Sequence, residues 1–78
     1  MNPINVNIAD GIATVCINRP ERKNALSVAA TNGLTEAWEM IEADENVRVA
    51  ILTSADCGVF SAGLDLKEAT EIARDEGV

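Results

Sequence analysis

Histidine is missing from this chain, cysteine occurs only at Cys16 and Cys57, and basic residues are scarce. No cluster of side chains has metal-ligand spacing, and no nucleophile-elbow motif occurs. Two cysteines are too few for a disulfide framework. Cys16 falls in an apolar strand pattern and reads as a small buried hydrophobe, whereas Cys57 lies in a loop. Six Lys and Arg stand against 13 Asp and Glu, a formal net charge of −7. An acidic surface repels phosphate backbones, so nucleic acid is excluded as a general partner. A nucleotide-bearing ligand would need locally placed cations, and Lys23 and Lys67 are available for that. No apolar run is long enough to span a bilayer, and no basic stretch precedes an apolar core at the N-terminus. The expectation is a cytoplasmic protein with no membrane partner. Neither low-complexity sequence nor an internal repeat is present.

At 78 residues the chain is one domain at most. A domain of this size buries only a little over about 60% of its unfolded surface, which leaves its stability marginal. What is present reads as α/β. Ile4, Val6 and Ile8 alternate with polar or small residues, Asp10-Gly11 is a two-residue hairpin turn, and Ile12 to Ile17 returns as a second strand. Pro20 ends that strand, and residues 20–24 are expected to form an exposed polar loop. Ser27 is the helix N-cap candidate for a helix from Val28 to about Ala43. Ala30, Leu34, Ala37, Trp38 and Ile41 mark its buried face, and Gly33 allows close packing. Val47 to Thr53 is an apolar run that predicts a strand buried on both faces, as in parallel sheets. A second helix from about Leu64 to Asp75 presents Leu66, Ala69 and Ala73 on one face and frays from Arg74 onward. The order β-β-α-β-α supports an α/β architecture.

The chain is organised around residues 59–68. Ser61, Ala62 and Gly63 let a flat ligand or another backbone approach the main chain. The amides at a helix start have no partner within the helix, and with the helix dipole they suit an anionic or developing-oxyanion oxygen. Composition and spacing take the stretch no further than a candidate anion or carbonyl site.

The letters go further. Phe60-Ser61-Ala62-Gly63-Leu64-Asp65-Leu66-Lys67-Glu68 resembles the F-(S/C)-A-G-x-D-(L/I)-K-E segment of the crotonase superfamily, the enoyl-CoA hydratases and isomerases. Asn18-Arg19-Pro20-Glu21-Arg22-Lys23-Asn24-Ala25-Leu26-Ser27 resembles its N-R-P-x-x-x-N-A-L-(S/N) segment. Asp44 and residues 47–53 resemble its D-x-x-V-R-(V/A)-(V/I)-(V/I)-L-T run. The resemblance implies a crotonase-like spiral of ββα units, of which residues 1–78 form the N-terminal part with the C-terminal remainder absent. It also implies acyl-CoA chemistry. The thioester enolate is stabilised by two backbone N–H groups, one of them Leu64, and the side chain of Leu64 shapes the acyl pocket. Ala25 and Ala62 would line the adenine and pantetheine path, Lys23 and Lys67 would sit near the coenzyme A phosphates, and Leu26, Gly63, Asp65 and Leu66 complete the substrate-binding set. Asp65 reads first as structural, in the opening helical turn, and Arg19 as an anchor of its loop.

No tightly bound cofactor is implied, since the coenzyme A thioester is the substrate. The family forms homotrimers or dimers of trimers. The acid/base carboxylates and the second oxyanion donor lie beyond the segment covered, and no glutamate here matches them, so the 78 residues alone are expected to be inactive. Addition of water across an enoyl thioester is the leading activity. The alternatives are a non-catalytic coenzyme A- or RNA-binding homologue, the latter opposed by the −7 charge, and an inactive fragment.

Overall fold

Asp10 and Gly11 take φ of 52° and 79°, the pair of positive values that a two-residue hairpin turn with the strands' own twist requires. Strands β1 (Ile4–Ala9) and β2 (Ile12–Ile17) therefore pair antiparallel, with Ala9 opposite Ile12 and Ile4 opposite Ile17. This computed structural model describes residues 3–75, without the side chains of residues 66 and 73–75. A short 3-10 turn at Pro20–Arg22 leads to helix α1 (Val28–Ala43). Strand β3 (Val49–Ser54) then joins β2 in parallel, Ile12 opposite Val49, and gives the sheet order β1-β2-β3. Helix α2 (Leu66–Asp75) closes the described chain.

The core forms where α1 lies over the hairpin. Ala13, Val15 and Ile17 alternate inward from β2, and Ile4, Val15, Ile17, Ala30 and Ala37 are buried together. Val6, Leu26, Leu34 and Ile41 pack against that cluster. Gly33 makes the contact close, because a Cβ there would stand 2.8 Å from Ile4 Cγ1. Ser27 caps α1 as its residue type predicts, its hydroxyl accepting from the Ala30 amide at 3.0 Å.

Four expectations are corrected. The strand of residues 47–53 begins at Val49, and it is not buried on both faces: Val49, Ile51 and Leu52 are 53%, 47% and 43% exposed. It is parallel, as expected, but it is the edge of a three-stranded sheet, and α1 lies over β1 and β2. Trp38, on the flank of the helix stripe, is exposed. Cys16 points away from the α1 side and is only half-buried. Asn24, expected in an exposed loop, is fully buried. The fraying expected from Arg74 to Val78, and the place of the Leu66 and Ala73 side chains in the apolar face of α2, lie outside the described residues and side chains.

The molecule is extended for its length. Its Cα radius of gyration is 14.2 Å, where a compact domain of this size has about 11.5 Å. The exposed apolar edge of β3 and the extended shape are the same fact seen twice: this length of chain covers one side of its hairpin and little of β3.

Candidate active site

Two loops meet beside the N-terminal end of α1, and buried polar side chains hold them together. Lys23 and Asn24 are successive left-handed residues, with φ of 54° and 56°. Each such conformation costs an L-residue about 1–2 kcal/mol, so the loop needs local compensation. Asn24 supplies much of it. Its Oδ1 accepts from the Arg19 amide at 2.9 Å, and its Nδ2 donates to the Ala55 carbonyl at 2.8 Å, with Val59 O and Cys57 Sγ each 3.4 Å away. The Ser61 hydroxyl donates to the Asn24 carbonyl at 2.8 Å and accepts from the Gly63 amide at 3.0 Å.

Arg19 completes the join. Its Nη1 donates to the Ala25 carbonyl at 2.5 Å, and both terminal nitrogens lie 3.2 Å from Asp65 Oδ2. Asp65 is buried, and its Oδ1 accepts from the Glu68 amide at 3.1 Å. Asp65 is thus the cap that precedes α2 rather than a member of its first turn, a correction to the sequence reading. The carboxyl is held below its usual range, first by the Glu68 amide and then by the Arg19 guanidinium, against the opposing effect of its burial. The Glu68 side chain reaches across to α1, where its Oε1 accepts from the Val28 amide at 2.6 Å. The start of α2 is thereby tied to the opposite loop, and the start of α1 to α2.

Between these anchors the chain makes a one-residue parallel bridge, Leu26 to Leu64. The Leu26 amide donates to the Gly63 carbonyl at 2.6 Å, and the Leu26 carbonyl accepts from the Asp65 amide at 3.0 Å. In such a bridge the middle residue turns its own N–H away from its partner strand. The Ala62 amide donates to the Lys23 carbonyl at 3.0 Å. Of the amides of residues 62–65, only that of Leu64 has no partner among the described residues. Gly63, at φ 82°, provides the turn that makes this possible.

A cleft of about 180 Å³ lies alongside, lined by Leu26, Ser27, Val28, Thr31, Asn32, Leu64, Asp65, Glu68, Ala69 and Ile72. Leu64 is its most exposed apolar side chain, at 64%. A backbone donor next to a largely apolar wall can accommodate a carbonyl oxygen and the hydrocarbon attached to it.

The structure brings together Leu26, Leu64 and Asp65 at this cleft, with Gly63 behind them. Lys23 and Ala25 do not line it. Lys23 is exposed, and Ala25 is buried with its amide bonded to the Arg22 carbonyl and its carbonyl to Arg19. Ala62 is exposed beside the Lys23 carbonyl. Lys67 lies in a separate groove with Arg19, Arg22 and Glu71. The Leu66 side chain lies outside the description. Sequence reasoning missed the bonds made by Asn24, Ser61 and Glu68; the asparagine within N-A-L and the serine before A-G were visible as letters, but these partners 31 to 40 residues away were not. Among the described residues, no group of acidic, cysteine or histidine side chains could hold a metal ion.

Fold and site define an α/β protein with a backbone donor at an apolar cleft, and the comparisons give it a family. The enoyl-CoA hydratase/isomerase family model matches residues 7–77, and the chain belongs to that family, within the crotonase superfamily. It is 38% identical over 66 residues to the (E)-benzylidenesuccinyl-CoA hydratase of Thauera aromatica, covering 85% of this chain and 26% of that protein. To the hydroxycinnamoyl-CoA hydratase-lyase of Pseudomonas fluorescens it is 42% identical over 65 residues, covering 83% and 23%. A crystal structure of enoyl-CoA hydratase from Mycobacterium tuberculosis H37Rv superposes with a TM-score of 0.86 at 38% identity, over 91% of this chain and 28% of that one. The chain spans about a quarter of the length of these relatives, and it has the crotonase-like fold of their N-terminal part.

Proposed function

We propose that this chain forms the N-terminal part of an acyl-CoA enzyme of the hydratase/isomerase type, and that the Leu64 amide is one of two donors to a thioester oxyanion. The observation that carries the reading is the Leu64 N–H, unpaired among the described residues, beside the apolar cleft. The thioester carbonyl accepts from this amide, and the acyl chain lies along Leu26, Leu64 and Ile72. As the α-carbon takes on carbanion character, negative charge moves to the oxygen, and the bond to a fixed donor strengthens. One such donor is worth about 2.7–4 kcal/mol of barrier lowering. Lys23 and Lys67 lie outside the cleft, on exposed surface where phosphates of the coenzyme A portion can reach them. The second donor and the acid/base groups come from sequence other than these 78 residues, which alone bind the thioester without turning it over.

The test is infrared difference spectroscopy of crotonyl-CoA bound to the protein, with and without an amide-to-ester replacement at Leu64. The thioester C=O band is expected to fall in frequency on binding, and the ester form should abolish most of that fall. An unshifted band in the unmodified protein, or an equal shift in the ester form, overturns the assignment.

A further inference from the structure

We propose that Ser61 is a positioning residue for this site, acting through Gly63 to leave a single free amide at Leu64. The inference rests on the oxyanion reading above. Four consecutive amides face the problem that any unpaired N–H near an apolar cleft attracts a carbonyl oxygen. Ala62 and Asp65 give theirs to main-chain carbonyls of the opposite loop, Lys23 and Leu26. The Gly63 amide goes instead to the Ser61 hydroxyl two residues back, at 3.0 Å. That hydroxyl is itself oriented, because its proton is committed to the Asn24 carbonyl at 2.8 Å. A hydroxyl that donates to one group presents its lone pairs to another. The oxygen is therefore set as an acceptor for Gly63, and Asn24 is fixed in turn by its buried side-chain bonds.

One consequence follows for a bound thioester. The oxygen meets one donor in this stretch rather than two adjacent ones, which fixes where it sits. The peptide that carries the Leu64 N–H is held separately, its Gly63 carbonyl accepting from the Leu26 amide at 2.6 Å, so Ser61 acts on the neighbouring amide and not on the direction of Leu64. Removal of the hydroxyl frees the Gly63 N–H as a second donor beside Leu64.

The experiment is amide-resolved NMR on the protein, its Ser61→Ala form and its Ser61→Thr form, free and titrated with crotonyl-CoA. In the free protein, Ser61→Ala should speed hydrogen exchange at Gly63 by about fivefold, the weight of an ordinary net hydrogen bond, and Ser61→Thr should restore it. On titration, the unsubstituted protein should show a downfield shift at Leu64 and little change at Gly63. Ser61→Ala should show Gly63 shifting as well and the Leu64 shift reduced. The Ala30 amide, capped by Ser27, reports whether the fold is intact. If Leu64 fails to respond in the unsubstituted protein, the oxyanion reading falls and the role of Ser61 with it. If Leu64 responds there while Ser61→Ala leaves both Gly63 exchange and the Leu64 shift unchanged, the role of Ser61 alone is overturned. Loss of the Ala30 signature in Ser61→Ala, not restored by Ser61→Thr, also overturns it, because the serine would then serve the fold as a whole.

Discussion

Arg19 and Asp65, 46 positions apart, are joined by both terminal guanidinium nitrogens to one carboxylate oxygen at 3.2 Å. The two side chains are 16% and 8% exposed, so solvent screens the pair little. The contact closes the loop of residues 19–26 onto the start of α2, beside the cleft between the first turns of α1 and α2. Since the folded pKa of Asp65 is depressed, its stabilising effect is fully present above the unfolded value of about 3.9. It is lost as pH falls through the depressed folded value. Denaturant unfolding at pH 7 and at successively lower pH should show stability declining below about pH 4, and Asp65→Asn should flatten that decline. An identical acid profile in Asp65→Asn would remove Asp65 from the balance.

Arg19→Lys is expected to lower stability although charge is kept. Lysine has one terminal nitrogen where arginine uses two on Asp65 and one of them again on the Ala25 carbonyl. A thermal melt of this variant should show a lower Tm than the parent, and a melt at unchanged Tm would mean that charge alone matters here.

The glycines at 33 and 63 should respond to alanine for different reasons. Gly33→Ala places a Cβ 2.8 Å from Ile4 Cγ1 and 3.1 Å from Ile4 Cβ. Overpacking costs about 1–3 kcal/mol, and the helix gains about 1 kcal/mol from alanine, so the variant should lose about 1 kcal/mol. In a chain of this length, 1 kcal/mol is about 4–8 °C in Tm. Ile4→Val should not relieve it, because both offending atoms remain. Gly63→Ala meets no atom but is held at φ 82°, a strain of about 1–2 kcal/mol that turning back through residue 63 would relieve only by moving the Leu64 amide. Calorimetry should find both less stable, and the shift of the bound thioester carbonyl reduced only in Gly63→Ala.

Asn24→Ala should be the most damaging of the single substitutions named here. It strips the Arg19 amide and the Ala55 carbonyl of their partners at a fully buried position. Each buried group left unpaired costs about 1–3 kcal/mol. Urea unfolding is the measurement, and a loss below 1 kcal/mol would mean that water reaches both groups.

Ser27→Ala should lose about 0.5–2 kcal/mol with the cap on the Ala30 amide. Glu68→Ala frees the neighbouring Val28 amide, so the two together form a test of coupling. Because both serve the same helix start, the double variant should lose less than the sum, as read from a double-mutant cycle.

Elements with local causes were legible in the letters. The Asp10-Gly11 turn, the extent of α1 from Val28 to Ala43 and its Ser27 cap all follow from neighbours in sequence. The motif letters pointed to Leu64 and to Arg19 as an anchor. What stayed hidden needed contacts between distant segments. Asn24 read as polar and therefore exposed, yet its burial depends on carbonyls at Ala55 and Val59. The apolar run of β3 read as buried because pattern records what a strand can be packed against, and a three-stranded sheet of this length leaves its edge uncovered.

Short-range periodicity and turn chemistry thus determined the hairpin and the helix, since each depends on residues within a few positions of one another, and the motif letters carried the family likeness. Which amide is left free was decided only by the tertiary structure. A hydrogen bond is spent on whichever acceptor the fold brings within about 3 Å, and the acceptors that take the amides of Ala62 and Asp65 lie in a loop some forty residues earlier.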